Sequence, residues 1–296
     1  MRRRSFATVV LCTVVIALGA ARAQVPQADA NPAQAVLDRM DKDGCTVLES
    51  GVKVCRYDYL AGEKKVEAIS FVPAGKAPFP GVLMIPGFER TARDIAPLGI
   101  RLAREGFAGV AVTQPGFGKS EGPPDFVGPK TLAVLIAGYE KLKHEKYADP
   151  NRMAIYGYSR GGMAASLLAT QLSDLKAAVF GAGIYDFQRA YDETPLVGAR
   201  KNMMAETGMT KEAVRERSSI LRMDQLKCPV LVLHGELDDR VPVSQAKLLR
   251  DKLTQLHKEF EIKIFPDKQH SVGPEGTELT VDFFRRKLQQ ASSSRN

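Results

Sequence analysis

The sequence of 296 residues predicts an α/β fold, with a mostly parallel central sheet, helices on both faces and a small helical cap insertion. Three observations predict it. Short, mostly apolar runs at 82–85, 109–112, 153–156, 177–180, 230–233 and 261–265 suit strands buried on both faces. Helical patterns at 92–104, 131–145, 161–172, 244–256 and 278–289 fall between them, as right-handed crossovers require. One segment, 182–226, breaks this rhythm with short helical stretches and no strand. An insertion where strands end is expected to cap a pocket. The composition, 44% hydrophobic and 26% charged, is that of a globular chain and excludes a disordered one.

In chain order, Arg2, Arg3 and Arg4 precede an apolar run at 6–20, and Ala21-Arg22-Ala23 follows. A basic head, a short apolar middle and a small-x-small ending predict a signal peptide over 1–23, cleaved after Ala23, and a periplasmic or secreted protein. The run is short for a membrane span, so none is expected after cleavage. The formal charge is +8, from 42 Lys and Arg against 34 Asp and Glu. Residues 1–23 hold four Arg and no acid, so cleavage halves it to +4. The remaining basic residues are scattered among acids such as Glu212, Glu216 and Asp251, which excludes a nucleic-acid stripe.

Residues 24–43, rich in Ala, Pro and Gln, are expected to be a flexible lead-in with room for a short helix, and 44–290 the folded domain. Next, 45–48 and 52–55 read as a hairpin around Glu49-Ser50-Gly51, with Gly51 at the left-handed position of a three-residue loop. That register places Leu48 opposite Val52 and Cys45 opposite Cys55, so a Cys45–Cys55 disulfide is expected in an oxidising compartment. Cys228 precedes an apolar strand and reads as a buried small hydrophobe. An alternating pattern at 66–72 completes an antiparallel edge. Within the insertion, Tyr185, Phe187 and Met203, together with Tyr158, are expected to line the pocket. Residues 291–296 are expected to be a disordered tail.

The chemistry centres on Gly157-Tyr158-Ser159-Arg160-Gly161, between a buried strand and a small-residue helix. Gly-x-Ser-x-Gly in a strand-to-helix turn is a nucleophile elbow, which lifts the serine Oγ to a helix N-terminus that favours negative charge. A serine nucleophile needs a base, and the base an orienting acid, in the chain order nucleophile, acid, histidine. His144 precedes Ser159. His257 ends a Lys-rich helix, and His234 follows a buried strand where a packing role is expected. His270 lies in the loop between the last strand and the last helix, where the base belongs. Asp238 and Asp239 both occupy the loop in which the acid should sit. Oxyanion donors are expected from the backbone N–H groups of Arg160 and Phe88. The loop 114–124 is expected to shape the pocket wall. Its Gly-Lys-Ser lacks the glycine spacing of a phosphate loop. No His, Cys or Asp cluster has ligand spacing, so neither metal nor organic cofactor is expected.

Taken together, 149–162, Arg217-Ser-Ser-Ile220, 228–235, Asp238-x-x-Val241-Pro242 and His270 resemble the α/β-hydrolases, in their dienelactone hydrolase and prolyl oligopeptidase-like branch. The resemblance covers about 66–288. It implies an α/β-hydrolase fold, a triad of Ser159, Asp238 and His270 with Asp238 as the acid, and no cofactor. Two departures stand out. Dienelactone hydrolases proper carry cysteine as nucleophile, where this chain has Ser159. Full prolyl oligopeptidases carry a β-propeller ahead of the catalytic domain, and only about forty residues lie between Ala23 and Val66, so none is expected. The expected activity is therefore hydrolysis of a small-molecule carboxylic ester through an acyl-enzyme. The alternatives are an amidase or peptidase using the same triad, or a binding protein on the hydrolase scaffold. Acyl preference and oligomeric state are not written in these motifs.

Overall fold

The computed structural model describes residues 32–289. The expected signal peptide, residues 24–31 of the lead-in and the tail at 291–296 lie outside them. The chain folds around a nine-stranded sheet of order β1-β2-β3-β5-β4-β6-β7-β8-β9. The strands are β1 (Cys45–Val47), β2 (Lys53–Ala61), β3 (Lys64–Val72), β4 (Phe79–Ile85), β5 (Ala108–Val112), β6 (Ala148–Tyr158), β7 (Leu175–Gly181), β8 (Val230–Gly235) and β9 (Phe260–Phe265). The first three pair antiparallel and β3 meets β5 antiparallel, while β5, β4, β6, β7, β8 and β9 run parallel. The fold is the α/β-hydrolase type expected from the strand–helix alternation.

Alternating side chains send each strand into two cores. Leu83 and Ile85 of β4, with Val230 and Val232 of β8, join one cluster with α3 (Pro129–Lys143), α4 (Arg160–Ala169) and α8 (Ser244–Gln255). Val82 and Met84, with Leu231 and Leu233, join the other beneath α2 (Ala96–Arg104) and α9 (Gly273–Phe284). Both faces of the sheet are covered, which is why these strands read as unbroken apolar runs. Helix α2 starts later than the periodicity predicts. Pro97 sits in its first turn, and Asp94 folds 91–94 into a turn by accepting from the Thr91 amide at 2.8 Å.

Where it is described, the lead-in is helical. Residues Pro32–Asp43 form α1, and Val36, Leu37 and Met40, one helical turn apart, are buried in the second core. The short helix that the lead-in had room for is thus formed and docked over these residues.

The hairpin follows the expected register. Cys45 lies opposite Cys55, Gly51 has φ +79°, and the Leu48 amide donates to Val52 O at 2.9 Å. The Cys45–Cys55 disulfide is formed, and Cys228 is a buried free thiol. A crosslink at this separation of ten residues constrains the unfolded chain by about 2–3 kcal/mol. Denaturant melts of a Cys45→Ser/Cys55→Ser double variant should show that loss. Its kcat should be unchanged, because β1 lies at the sheet edge remote from β6 and β8.

Between β7 and β8 lie α5 (Phe187–Glu193), α6 (Val197–Thr207), α7 (Lys211–Arg217) and a 3-10 helix (Ser219–Gln225). Local chemistry fixes their ends. Asp186 caps α5 through the Arg189 amide, Thr210 caps α7 through the Ala213 amide, and Gly208 closes α6 at φ +63°.

Candidate active site

Ser159 stands between the last residue of β6 and the first of α4, with φ +58° and ψ −123°. A left-handed conformation is costly for any residue with a Cβ, and it is held here by the surroundings. The Ser159 amide donates to Gly181 O at 2.8 Å, and its carbonyl accepts from the Met163 amide at 3.1 Å. The flanking glycines are steric necessities. A Cβ on Gly157 would lie 1.9 Å from Gly161 O, and one on Gly161 would lie 2.1 Å from Ile85 O.

The loops after β8 and β9 bring the other two groups to this turn. His270 Nε2 is 2.9 Å from Ser159 Oγ, and its Nδ1 is 2.8 Å from Asp238 Oδ2. The two loops are tied by the Leu237 amide, which donates to Lys268 O at 3.0 Å. The Asp238 side chain is 0% exposed, and its Oδ1 accepts the Arg240 and Val241 amides at 2.9 Å each. Burial alone would raise the Asp238 carboxyl, but hydrogen bonds from His234, His270 and the Val241 amide outweigh it and hold the group well below the usual carboxylate range. An ionised carboxylate only accepts, so His270 Nδ1 carries the proton and Nε2 is left to accept from the Ser159 hydroxyl. Asp239, the other candidate acid, is exposed at the cavity mouth and makes no such bond.

A cavity of about 1470 Å³ opens over Ser159 and His270, with Phe88, Ile95, Leu98, Ile184, Met203 and Leu237 among its apolar lining. Tyr158 and Met203 line it as expected. Tyr185 and Phe187 do not, which corrects the sequence reading. Both are 0% exposed. Tyr185 packs its ring on Phe180 at 6.2 Å, and Phe187 sets its edge on Phe126 at 5.2 Å. They anchor the insertion to the core. The loop 114–124 also stands behind the lining rather than in it. Gln114 Nε2 donates to Pro86 O at 2.7 Å, and Phe117 meets Phe88 edge to face at 5.5 Å.

Phe88 and Arg160 flank Ser159, and a Cβ on Gly87 would come within 3.3 Å of Ser159 Cβ. The Arg160 side chain is 3% exposed and pairs with Glu206 of α6. The rings of Phe126, Phe88 and Phe117 lie 4.3, 5.3 and 5.4 Å from its guanidinium carbon. Motif spacing does not disclose two further contacts. Tyr158 Oη donates to His270 O and accepts the Val272 amide at 3.2 Å, so the residue before Ser159 clamps both sides of the histidine loop. His234 Nε2 lies 3.3 Å from Asp238 Oδ2. Among the described residues no group of three or more His, Cys, Asp or Glu gathers as a metal site.

A model of the prolyl oligopeptidase family matches residues 127–291, more than half of the chain, and spans all three of these groups. The chain belongs to the prolyl oligopeptidase family. This serine hydrolase is 28% identical over 222 residues to the uncharacterized peptidase YtmA of Bacillus subtilis, across 73% of this chain and 85% of that one. Among solved structures, Pyrococcus horikoshii acylaminoacyl peptidase superposes with a TM-score of 0.71 at 23% identity, over 81% of this chain and 42% of that one. A Klebsiella pneumoniae protein assigned as a dienelactone hydrolase superposes at 0.62 and 20% identity, over 81% of this chain and 99% of that one. This prolyl oligopeptidase family member thus spans most of YtmA but under half of the acylaminoacyl peptidase. At such identities the two structures speak for the fold.

Proposed function

We propose that this prolyl oligopeptidase family member is a serine peptidase or amidase that cleaves small peptides or aminoacyl amides through an acyl-enzyme on Ser159. The observation that carries the reading is the unbroken line from Ser159 Oγ through His270 to Asp238, with contacts of 2.9 and 2.8 Å. His270 Nε2 takes the hydroxyl proton as Ser159 Oγ attacks the acyl carbon, then delivers it to the leaving amine. Asp238 orients the imidazole and stabilises its cation. The amides of Phe88 and Arg160 receive the oxyanion, and water releases the acid by the same route. Family membership and likeness to YtmA support amide cleavage over the ester cleavage expected from the sequence. The disulfide supports a location outside the cytoplasm, in keeping with the expected signal peptide. No helix among the described residues is long and apolar enough to cross a membrane.

The test compares aminoacyl p-nitroanilides and short peptides with p-nitrophenyl acyl esters, each with wild type and Ser159→Ala. Turnover of anilides or peptides that disappears in the variant is expected. Ester turnover with none on any amide would return the assignment to a carboxylic ester hydrolase. A folded protein that turns over neither, and takes up no fluorophosphonate, would be a binding protein on this scaffold.

A further inference from the structure

Asp238 is held unevenly. Its Oδ1 has two backbone donors, the Arg240 and Val241 amides, both at 2.9 Å. At Oδ2 the neighbours are side chains: His270 Nδ1 at 2.8 Å, which also reaches Oδ1 at 3.0 Å, and a second imidazole, His234 Nε2, in a longer contact of 3.3 Å. His234 is the penultimate residue of β8 and is 0% exposed. The same Nε2 lies 2.9 Å from Val241 O. Both neighbours of this nitrogen are acceptors, so it carries a proton and shares it between the carboxylate and the carbonyl that closes the acid loop. The other ring nitrogen, Nδ1, is buried with no hydrogen-bond partner. A ring that only filled space would do so better as phenylalanine, without that orphaned nitrogen.

We propose that His234 is a positioning residue for Asp238: its Nε2–H fixes Oδ2 in line with His270 and draws charge from it. The proposal rests on the reading of Ser159, His270 and Asp238 as the hydrolytic triad. The two backbone amides meet the carboxylate only at Oδ1, and rotation about the Cβ–Cγ bond moves both oxygens together. The His234 contact at Oδ2 adds a second point of restraint against that rotation. It also competes with His270 for the same lone pairs, so the imidazole gives up its acquired proton more readily. The titratable groups facing the carboxylate are His234 on β8, His270 in the loop after β9 and Tyr158 at the end of β6. The others on these loops are engaged elsewhere or turned to solvent. Glu236 pairs with Lys247, Asp267 with Lys268, and Asp239 and Arg240 are exposed.

The experiment measures fluorophosphonate labelling of Ser159 against pH in wild type, His234→Phe and His234→Gln, alongside thermal melts and titration of active sites. Labelling needs no known substrate. The Phe ring keeps the volume and removes the donor, while the Gln amide can reach both acceptors. Labelling by the Phe variant should fall about ten- to a hundredfold, the worth of a hydrogen bond to a charged group. Its acid limb should move to higher pH, because an undiluted carboxylate holds the proton on His270. The Gln variant should recover to within about threefold with the limb restored. KM for any substrate found should not change, since His234 does not line the cavity.

A folded Phe variant that labels at the wild-type rate with an unmoved limb overturns the proposal. So does equal impairment of Phe and Gln in proportion to lost active sites, which is the mark of a merely structural residue. If the Phe variant does not fold, His234→Asn takes its place. Asn is one methylene short of both acceptors, and labelling no slower than Gln would be equally fatal. Wild type that is not labelled at Ser159 removes the triad reading itself, and the proposal with it.

Discussion

Ser159→Ala abolishes hydrolysis of every substrate this protein turns over, a fall of about 10⁶-fold in kcat. The oxygen proposed to attack the acyl carbon is gone, and among the described residues the cavity offers no other hydroxyl bonded to an imidazole. His270 Nε2 loses its partner at 2.9 Å, yet the imidazole stays seated by Asp238 and by the clamp of Tyr158 on its loop. The fold should therefore persist, with stability altered by about 1 kcal/mol, the net worth of one hydrogen bond. Steady-state turnover, a fluorophosphonate adduct mapped by mass spectrometry and a thermal melt read the three consequences together. A variant that folds and keeps more than a trace of activity would move the nucleophile elsewhere.

The second large effect separates two neighbouring acids. Asp238→Asn should lower kcat about 10⁴-fold, because an amide N–H facing His270 Nδ1 imposes the wrong tautomer on the base. The acid loop itself should survive, since the Asn carbonyl can still accept the Arg240 and Val241 amides that now bond Oδ1. Asp239→Asn should leave kcat within about twofold, as expected of an exposed side chain away from the reacting atoms. Steady-state kinetics on both variants decide the matter. Equal losses, or a larger loss at Asp239, would overturn the assignment of the acid.

Much of this was legible because it is local. The elbow needs Gly157 and Gly161 within a single turn. The hairpin register follows from Gly51, and the parallel strands announce themselves as apolar runs because both faces are covered. What stayed hidden depends on partners remote in sequence. The pairing of Tyr158 with the His270 carbonyl spans 112 residues, and that of Arg160 with Glu206 spans 46. Neither has a spacing that a motif could record. Tyr185 and Phe187 were misplaced because an aromatic in an insertion carries the same signal whether it faces a cavity or anchors a helix. Helix α1 was obscured by its Ala- and Gln-rich surroundings, although Val36, Leu37 and Met40 already marked one face. His234 looked like packing because it continues a buried strand, and its contact with Asp238 depends on how the acid loop folds back.

The pairing of Arg160 with Glu206 has a consequence for the insertion as a whole. Glu206 sits on α6, and its carboxylate also takes the Phe126 amide at 2.7 Å, so one side chain joins the insertion to the turn bearing Ser159 and to the stretch before α3. Lifting α6 would strand a guanidinium among three phenyl rings with no counter-charge, a loss of about 3–5 kcal/mol. The roof of the chamber is bolted to its floor at that point. The positive charge beside Ser159 is thereby spent on architecture, leaving the shape of the chamber rather than that cation to sort what enters.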